Sequence, residues 1–339
     1  VFKRNILLCA LLATTAFAVP PAARADSVED FYRGKTVYAL VGVSPGGEYD
    51  FQLRLVSRFL GKYIPGRPNV VAQNMTGATG MVMANYLYRV APKDGTYIGL
   101  IQNGLPTSQA VGLEGIQFDA VKYNWIGSVS PSTETMVTWK TTGVKTIEDA
   151  QKQEVIAGAV GSSGITLTFP MMLNDVLGTK FKMVMGYTGS GPLNLAMERG
   201  EVSARNSSWV SWKAAKPEWI ANKDINILIY SGPKPSDLDG VPGLDDLVKN
   251  EDDLQVVRIV TAGNRLGHPF AMSPGVPQER VDAIRQAFRD MMKDPDFIKE
   301  TDAAKLEIDP VSAQDLEKAA MGALGASEKA KQRARKYFQ

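Results

Sequence analysis

The chain has 339 residues and 36.8 kDa, with 44% hydrophobic and 22% charged residues and a mean hydropathy of -0.13, enough globular material for two cores, since single cores stop growing near roughly 250–300 residues. Its 38 Lys+Arg against 36 Asp+Glu leave a formal +2, which excludes the broad basic field of a nucleic-acid binder and any acidic tail. One Cys and one His exclude a disulfide framework and the usual three- or four-ligand Cys/His zinc sites; carboxylate-only metal sites stay open, and no metal or cofactor is expected.

Taken in chain order, the first element is an address. Lys3-Arg4 is a basic n-region, Ile6 to Val19 is an apolar run holding Cys9, and Ala23-Arg24-Ala25 has the small residues of a signal-peptidase site. The run is shorter than the roughly 20 residues a membrane span needs. Residues 1–25 therefore read as a signal peptide cleaved after Ala25, with export to the periplasm. Val1, where Met is expected, is consistent with an alternative start codon. Cleavage leaves 314 residues, removes three cations and the cysteine, and turns the charge from +2 to -1.

Val37 to Val43 is a continuous apolar run ended by Ser44-Pro45-Gly46-Gly47, and the apolar residues from Phe51 to Leu60 recur at helical spacing. That predicts strand, glycine turn, helix. Val70 to Gln73, Gly77 to Gly80 and Met81 to Val90 repeat the unit, and Tyr97 to Gln102 is a third strand, so parallel pairing with right-handed crossovers is expected. Strands are expected at Trp125 to Val129 and Thr135 to Trp139. A second α/β unit follows: strands 155–159, 181–185, 202–206 and 225–229, with helices at 146–151, towards Val176, at 193–199 and at 209–221. Residues 231–253 read as loops with a short helix near 244–249. Helices are expected at 277–292 and 313–337, the basic end of the latter being a solvated helix end rather than a nucleic-acid tail. The five tryptophans read as packing residues rather than an aromatic cage.

Gly42-Val43-Ser44-Pro45-Gly46 fits the G-x-S-x-G nucleophile elbow, which raises an exported serine hydrolase using Ser44 and His268. Two features oppose it. The elbow lies in the first strand after the leader, and Pro45 has no N–H where the oxyanion hole needs one. The same turn suits an anion: its glycines let a ligand approach the backbone, and the helix that follows presents unpaired N–H groups. Turns at 77–80, 161–164 and 186–191 repeat the design, and four such turns in two α/β units can converge on one cleft. No full nucleotide fingerprint is present.

Ser44-Pro45-Gly46-Gly47-Glu48-Tyr49-Asp50 with Arg54 resembles the P-x-G-G-x-x-D-x-x-x-R opening of the extracytoplasmic solute receptors of tripartite tricarboxylate transporters, the TctC or Bug-type proteins. Gln73 to Gly80, Ala91 to Tyr97, and Tyr187 to Pro192 with Gly200-Glu201-Val202 are similar to three further segments of that family, in order and at its spacing. The resemblance implies a type II periplasmic binding protein, or Venus flytrap: two doubly wound α/β domains joined by a hinge, domain 1 from 26–130 and 263–339, domain 2 from 131–262. It implies a non-enzymatic monomer that captures a dicarboxylate, tricarboxylate or aromatic acid by domain closure and passes it to the membrane subunits of a tripartite tricarboxylate transporter, or signals through a sensor kinase.

Carried over by motif, Ser44, Gly46 and Gly47, braced by Asp50, with Gly77 and Ala78 and then Asn103 and Gly104, would line the cleft from domain 1. Ser162, Ser163 and Thr166 would cap the facing helix of domain 2, Tyr187 would form a wall, and Asn206 and Ser207 would close the edge. This chain departs from the family's G-S-x-x-H-L pattern at Gly164 to Pro170 and has Ser203 in place of the usual strand aspartate. Arg205, nearby, is a candidate for a direct ion pair with the ligand.

Overall fold

The computed structural model describes residues 27–46, 48–160, 164–304, 306 and 308–338; the expected leader lies outside them. The first half runs α1 (Val28–Tyr32), β1 (Thr36–Val41), α2 (Glu48–Leu60), β2 (Asn69–Asn74), α3 (Met81–Arg89), β3 (Tyr97–Leu100), α4 (Leu105–Ala110) and β4 (Asn124–Ser128). The second unit is β5 (Glu134–Trp139), α5 (Ile147–Lys152), β6 (Val155–Val160), α6 (Ile165–Leu177), β7 (Phe181–Tyr187), α7 (Ser190–Glu198), β8 (Ala204–Ser208), α8 (Trp209–Ala215), α9 (Pro217–Ala221) and β9 (Ile225–Ser231). The chain then returns through α10 (Leu244–Leu247), α11 (Glu251–Leu266), β10 (Pro269–Met272), α12 (Gln278–Met291), α13 (Pro295–Ala303), β11 (Val311–Ser312), α14 (Ala313–Leu324) and α15 (Glu328–Arg335).

Among the described residues the strands form two sheets, ordered β11-β4-β10-β3-β1-β2 and β7-β6-β8-β5-β9. In the first, β1 pairs in parallel with β2 and β3, as the β-turn-α repeat requires. The run Thr36–Val41 is apolar without alternation because both faces of a central parallel strand are covered. Leu53, Val56, Phe59 and Leu60 of α2 pack on that sheet. In the second sheet β6 is parallel to β7 and β8, whereas β5 is antiparallel to β8 and β9.

Three expectations are corrected. The helix foreseen at 209–221 is two, broken at Lys216, because the residue before Pro217 is pushed out of the helical region. The helix foreseen at 313–337 ends at Gly325 and restarts at the N-cap Ser327. Its basic end is not simply solvated: Arg333 pairs with Asp175 and Asp253, and Arg335 donates to the Val111 and Gly112 carbonyls. Six elements escaped the pattern reading, namely α1, α4, α11, β10, α13 and β11. β10 has four residues, too few for a period, and is a strand because β3 and β4 flank it antiparallel. α11 carried signals that were legible, namely the Asn250 N-cap, three acids in its first turn and a terminal Gly267.

Helix α11 joins the halves. It packs against α4, α6, α14 and α15, and its Val256 and Val260 share one core with Phe169 and Met172, Val111, and Ala323. The expected division between 262 and 263 thus falls inside a continuous helix. The two chain crossings between sheets lie side by side: the Ser132 amide donates to the Asn264 carbonyl at 2.7 Å, and the His268 amide to Ser128 Oγ at 2.9 Å. Gly267 lies between them with φ 61° and ψ -112°, and a Cβ there would meet the Ser130 carbonyl oxygen at 1.9 Å.

Gly267→Ala should therefore destabilise the protein by about 3 kcal/mol or more, combining backbone strain with a clash against immovable backbone. Urea unfolding measures it. A loss below about 0.5 kcal/mol, the range of ordinary surface substitutions, would mean that the crossings are free to slide apart.

Candidate functional site

The parallel pairing of β1 with β2 and β3 brings three following loops to one sheet edge. After β1, the turn is tied by a carboxylate: Gly46 N–H donates to Asp50 Oδ2 at 2.8 Å, and Arg54 Nε reaches the same oxygen at 3.0 Å. Asn74, from the end of β2, donates to Asp50 Oδ1 at 2.8 Å and to the Val43 carbonyl at 2.9 Å. Arg54, first, and then the Gly46 and Asn74 donors hold the buried Asp50 carboxyl down at about 2, against an ordinary 3.8.

After β2, Gly77, Ala78, Thr79 and Gly80 all have positive φ (138°, 44°, 51° and 85°). A β-branched residue in that region is strained by order 1–3 kcal/mol, and only surrounding structure holds it. Gly80, with φ 85°, is where glycine is favoured, and Gln102 Oε1 occupies the space of its missing Cβ. After β3, Asn103 is fixed by Tyr49 Oη, which accepts its N–H at 3.1 Å, and by the Gly263 carbonyl, which accepts from its side chain at 3.1 Å.

These loops face the start of β5, the first turn of α6 and the end of α11 across a cavity of about 670 Å³. The first unit contributes Tyr49, Ala78, Thr79, Gln102, Asn103 and Gly104; the far wall has Glu134, Gly164 at the start of α6, Thr168 and Asn264. Polar atoms there are buried without partners among the described residues: Gln102 Oε1 and Asn264 Nδ2. Glu134 is buried, and desolvation pushes its carboxyl up to about 7 despite the Asn206 hydrogen bond. None of the described lining residues is Lys or Arg. A second cavity, of about 650 Å³, lies between α11 and α14. Its cations Arg258, Arg265 and Lys318 are already paired with Glu251, Asp245 and Asp315 at the surface, so the first cavity has the unmet polar demand of a ligand site.

Solved structures share this architecture. A TctC solute-binding protein from Polaromonas, solved without ligand, superposes with a TM-score of 0.70 at 16% identity, covering 87% of this chain and 98% of its own. Rpa4515 of R. palustris with adipate gives 0.58 at 17%, covering 88% and 97%. MatC (Rpa3494) from Rhodopseudomonas palustris with bound malate gives 0.57 at 14%, covering 90% and 99%. No protein-family model and no curated sequence matches the chain. The chain has the TctC solute-binding-protein fold. The two-sheet Venus-flytrap expectation is met in the structure.

Within that TctC-type fold, the residues expected from sequence divide into three groups. Ala78, Asn103 and Gly104 line the cavity. Gly47, Ser162 and Ser163 lie outside the described residues. The others are near it or turned away: Ser44 and Gly46 form the exposed turn that Asp50 braces, and Gly77 packs on Val82. Thr166 uses its hydroxyl on Val160 N–H and C=O, at 3.1 and 3.3 Å. Tyr187 packs with the core on the far face of the second sheet, Ser207 accepts from Thr135 through its carbonyl, and Asn206 donates to Glu134.

Arg205 does not reach the cavity. It is 1% exposed, its guanidinium donates to Asn194 Oδ1 at 2.6 Å and lies 5.1 Å from the Trp212 ring centre. The reason is strand alternation: Asn206 faces the cavity side, so its neighbour must face the other core. Glu134 and Asn264 were missed in the sequence because no motif surrounds them; Tyr49 was inside a recognised motif, and Thr168 inside the segment that departs from one.

Asp50→Asn should cost about 2 kcal/mol at pH 7, the scale of hydrogen bonds to a charged group. Because folding depresses this carboxyl, its contribution is complete above the ordinary value and is lost as pH falls towards 2. Urea midpoints of the two proteins should converge between pH 4 and 2; an unchanging gap would show that charge is not what braces the turn.

Proposed function

We propose that this protein is an exported, periplasmic receptor that captures a small carboxylate between its two sheets by domain closure and delivers it to the membrane subunits of a tripartite tricarboxylate transporter. The carrying observation is the cavity of about 670 Å³, where strand ends of both sheets converge with backbone turns and buried unpartnered polar atoms. Micromolar affinity corresponds to about -8.2 kcal/mol, and hydrogen bonds to a charged group supply about 1.5–3 kcal/mol each, so a few suffice without a cation. Proteins of the same fold have been solved with adipate and malate, which supports an acid as ligand. Residues 1–25 direct export, and the turn at Ala78–Thr79 brings first-domain backbone to the cavity.

The hydrolase alternative fits the geometry poorly. The His268 ring packs on Tyr49 at 4.4 Å, and its Nε2 lies 3.5 Å from Glu48, while burial holds its pKa below the ordinary value. Among the described residues no hydrogen bond joins it to Ser44.

A thermal-shift panel of dicarboxylates, tricarboxylates and aromatic acids tests the receptor. A true ligand at 100 times its Kd should add about 2.7 kcal/mol of stability. A panel without any shift, together with ester turnover abolished by Ser44→Ala, would reverse the assignment.

A further inference from the structure

Glu134 opens β5 at the cavity wall, on the same sheet face as Met136 and Asn206, which are register partners. It is 7% exposed. Its Oε2 accepts from Asn206 Nδ2 at 3.1 Å, and its other oxygen has no hydrogen-bond donor among the described residues. Asn264 lines the same cavity, 4% exposed, with an Nδ2 that has no acceptor among those residues. The hinge holds the two together, because the Asn264 carbonyl accepts the amide of Ser132, two residues before Glu134. A site for anions thus carries a buried acid and an unused amide donor on one wall.

We propose that Glu134, in its protonated form, and Asn264 are a two-donor recognition pair for the second carboxylate of a dicarboxylate ligand. This rests on the carboxylate-receptor reading and specifies which acids the cavity takes. With Asn206 already donating to Oε2, the proton resides on the other oxygen, where the incoming carboxylate competes for it with the unpartnered Asn206 Oδ1; one proton enters from solvent for each dicarboxylate bound. The surrounding charges permit it. Arg205, on β8, is on the opposite sheet face and engaged by Asn194. Across the cavity, burial keeps the Tyr49 phenol neutral and favours neutral His268, while Glu48 is exposed. Thr168 on α6 and Asn103 on the β3 loop are neutral lining groups. Desolvation has already brought the carboxyl up to about 7, so the neutral form is available near physiological pH, and an arriving anion favours it further.

The sign follows from linkage: ligand binds the protonated form, so affinity falls as pH rises through that value. Calorimetric titration of the leaderless protein with adipate, and with hexanoate as a monocarboxylate of equal length, should show adipate binding about ten-fold weaker at pH 8 than at pH 6. Buffers of different ionisation heat should report close to one proton taken up at pH 8. Glu134→Gln, neutral at all pH, should abolish both the uptake and the pH dependence, and bind adipate about as well at pH 8 as at pH 6. Its unliganded thermal midpoint at pH 6 should match the native protein, which certifies folding. Asn264→Ala should weaken adipate about ten-fold at every pH without altering proton uptake. Adipate binding with no proton uptake, or hexanoate bound as tightly as adipate with the same pH dependence, would overturn the proposal and leave the receptor reading standing. If neither these acids nor any of the wider acid panel binds at any pH, both fall.

Discussion

Two stretches of backbone pass between the sheets in contact with each other, and the hydrogen bond from the Ser132 amide to the Asn264 carbonyl joins them. Gly267 permits that proximity, since its place against the Ser130 carbonyl leaves no room for a side chain. Part of the cavity wall is referred to this junction. Glu134 starts two residues beyond one crossing, Asn264 and Gly263 lie on the other, and Asn103 of the first unit is tethered to the Gly263 carbonyl. Rotation of one sheet relative to the other about such a junction would move the cavity walls while leaving both sheets intact.

The C-terminal helix adds a second connection. Arg335 of α15 binds carbonyls at the end of α4, while Arg333 and Tyr337 bind Asp175 of α6, in the other unit. Phe338 then reaches the cavity. A basic tail therefore serves as a strap between the halves, its cations matched to specific carbonyl and carboxylate oxygens. Partly buried pairs such as Arg333 with Asp253 resist screening better than surface pairs do.

The cavity combines little formal charge with many fixed dipoles. A cation buried in it would need costly desolvation, whereas amides already oriented by a fold can, in general, stabilise an anion without that penalty. The exception is Glu134, whose burial makes its charge conditional on what lies opposite it.

The sequence by itself determined the strand–glycine turn–helix units and the parallel pairing around β1, because apolar runs and glycines act locally, and its resemblance to a known family implied the Asp50-braced turn. It also carried the resemblance that the shared fold supports. Only the tertiary structure decided which side chains meet in the cavity. Glu134 and Asn264 are 130 residues apart in the chain and are joined by the crossings, not by any motif. Arg205 looked like a ligand cation in one dimension. Strand alternation, which depends on the register of β8 against β5, turned it towards Trp212 and left Asn206 facing Glu134, and a register is set by packing between distant segments rather than by the residues of either strand alone.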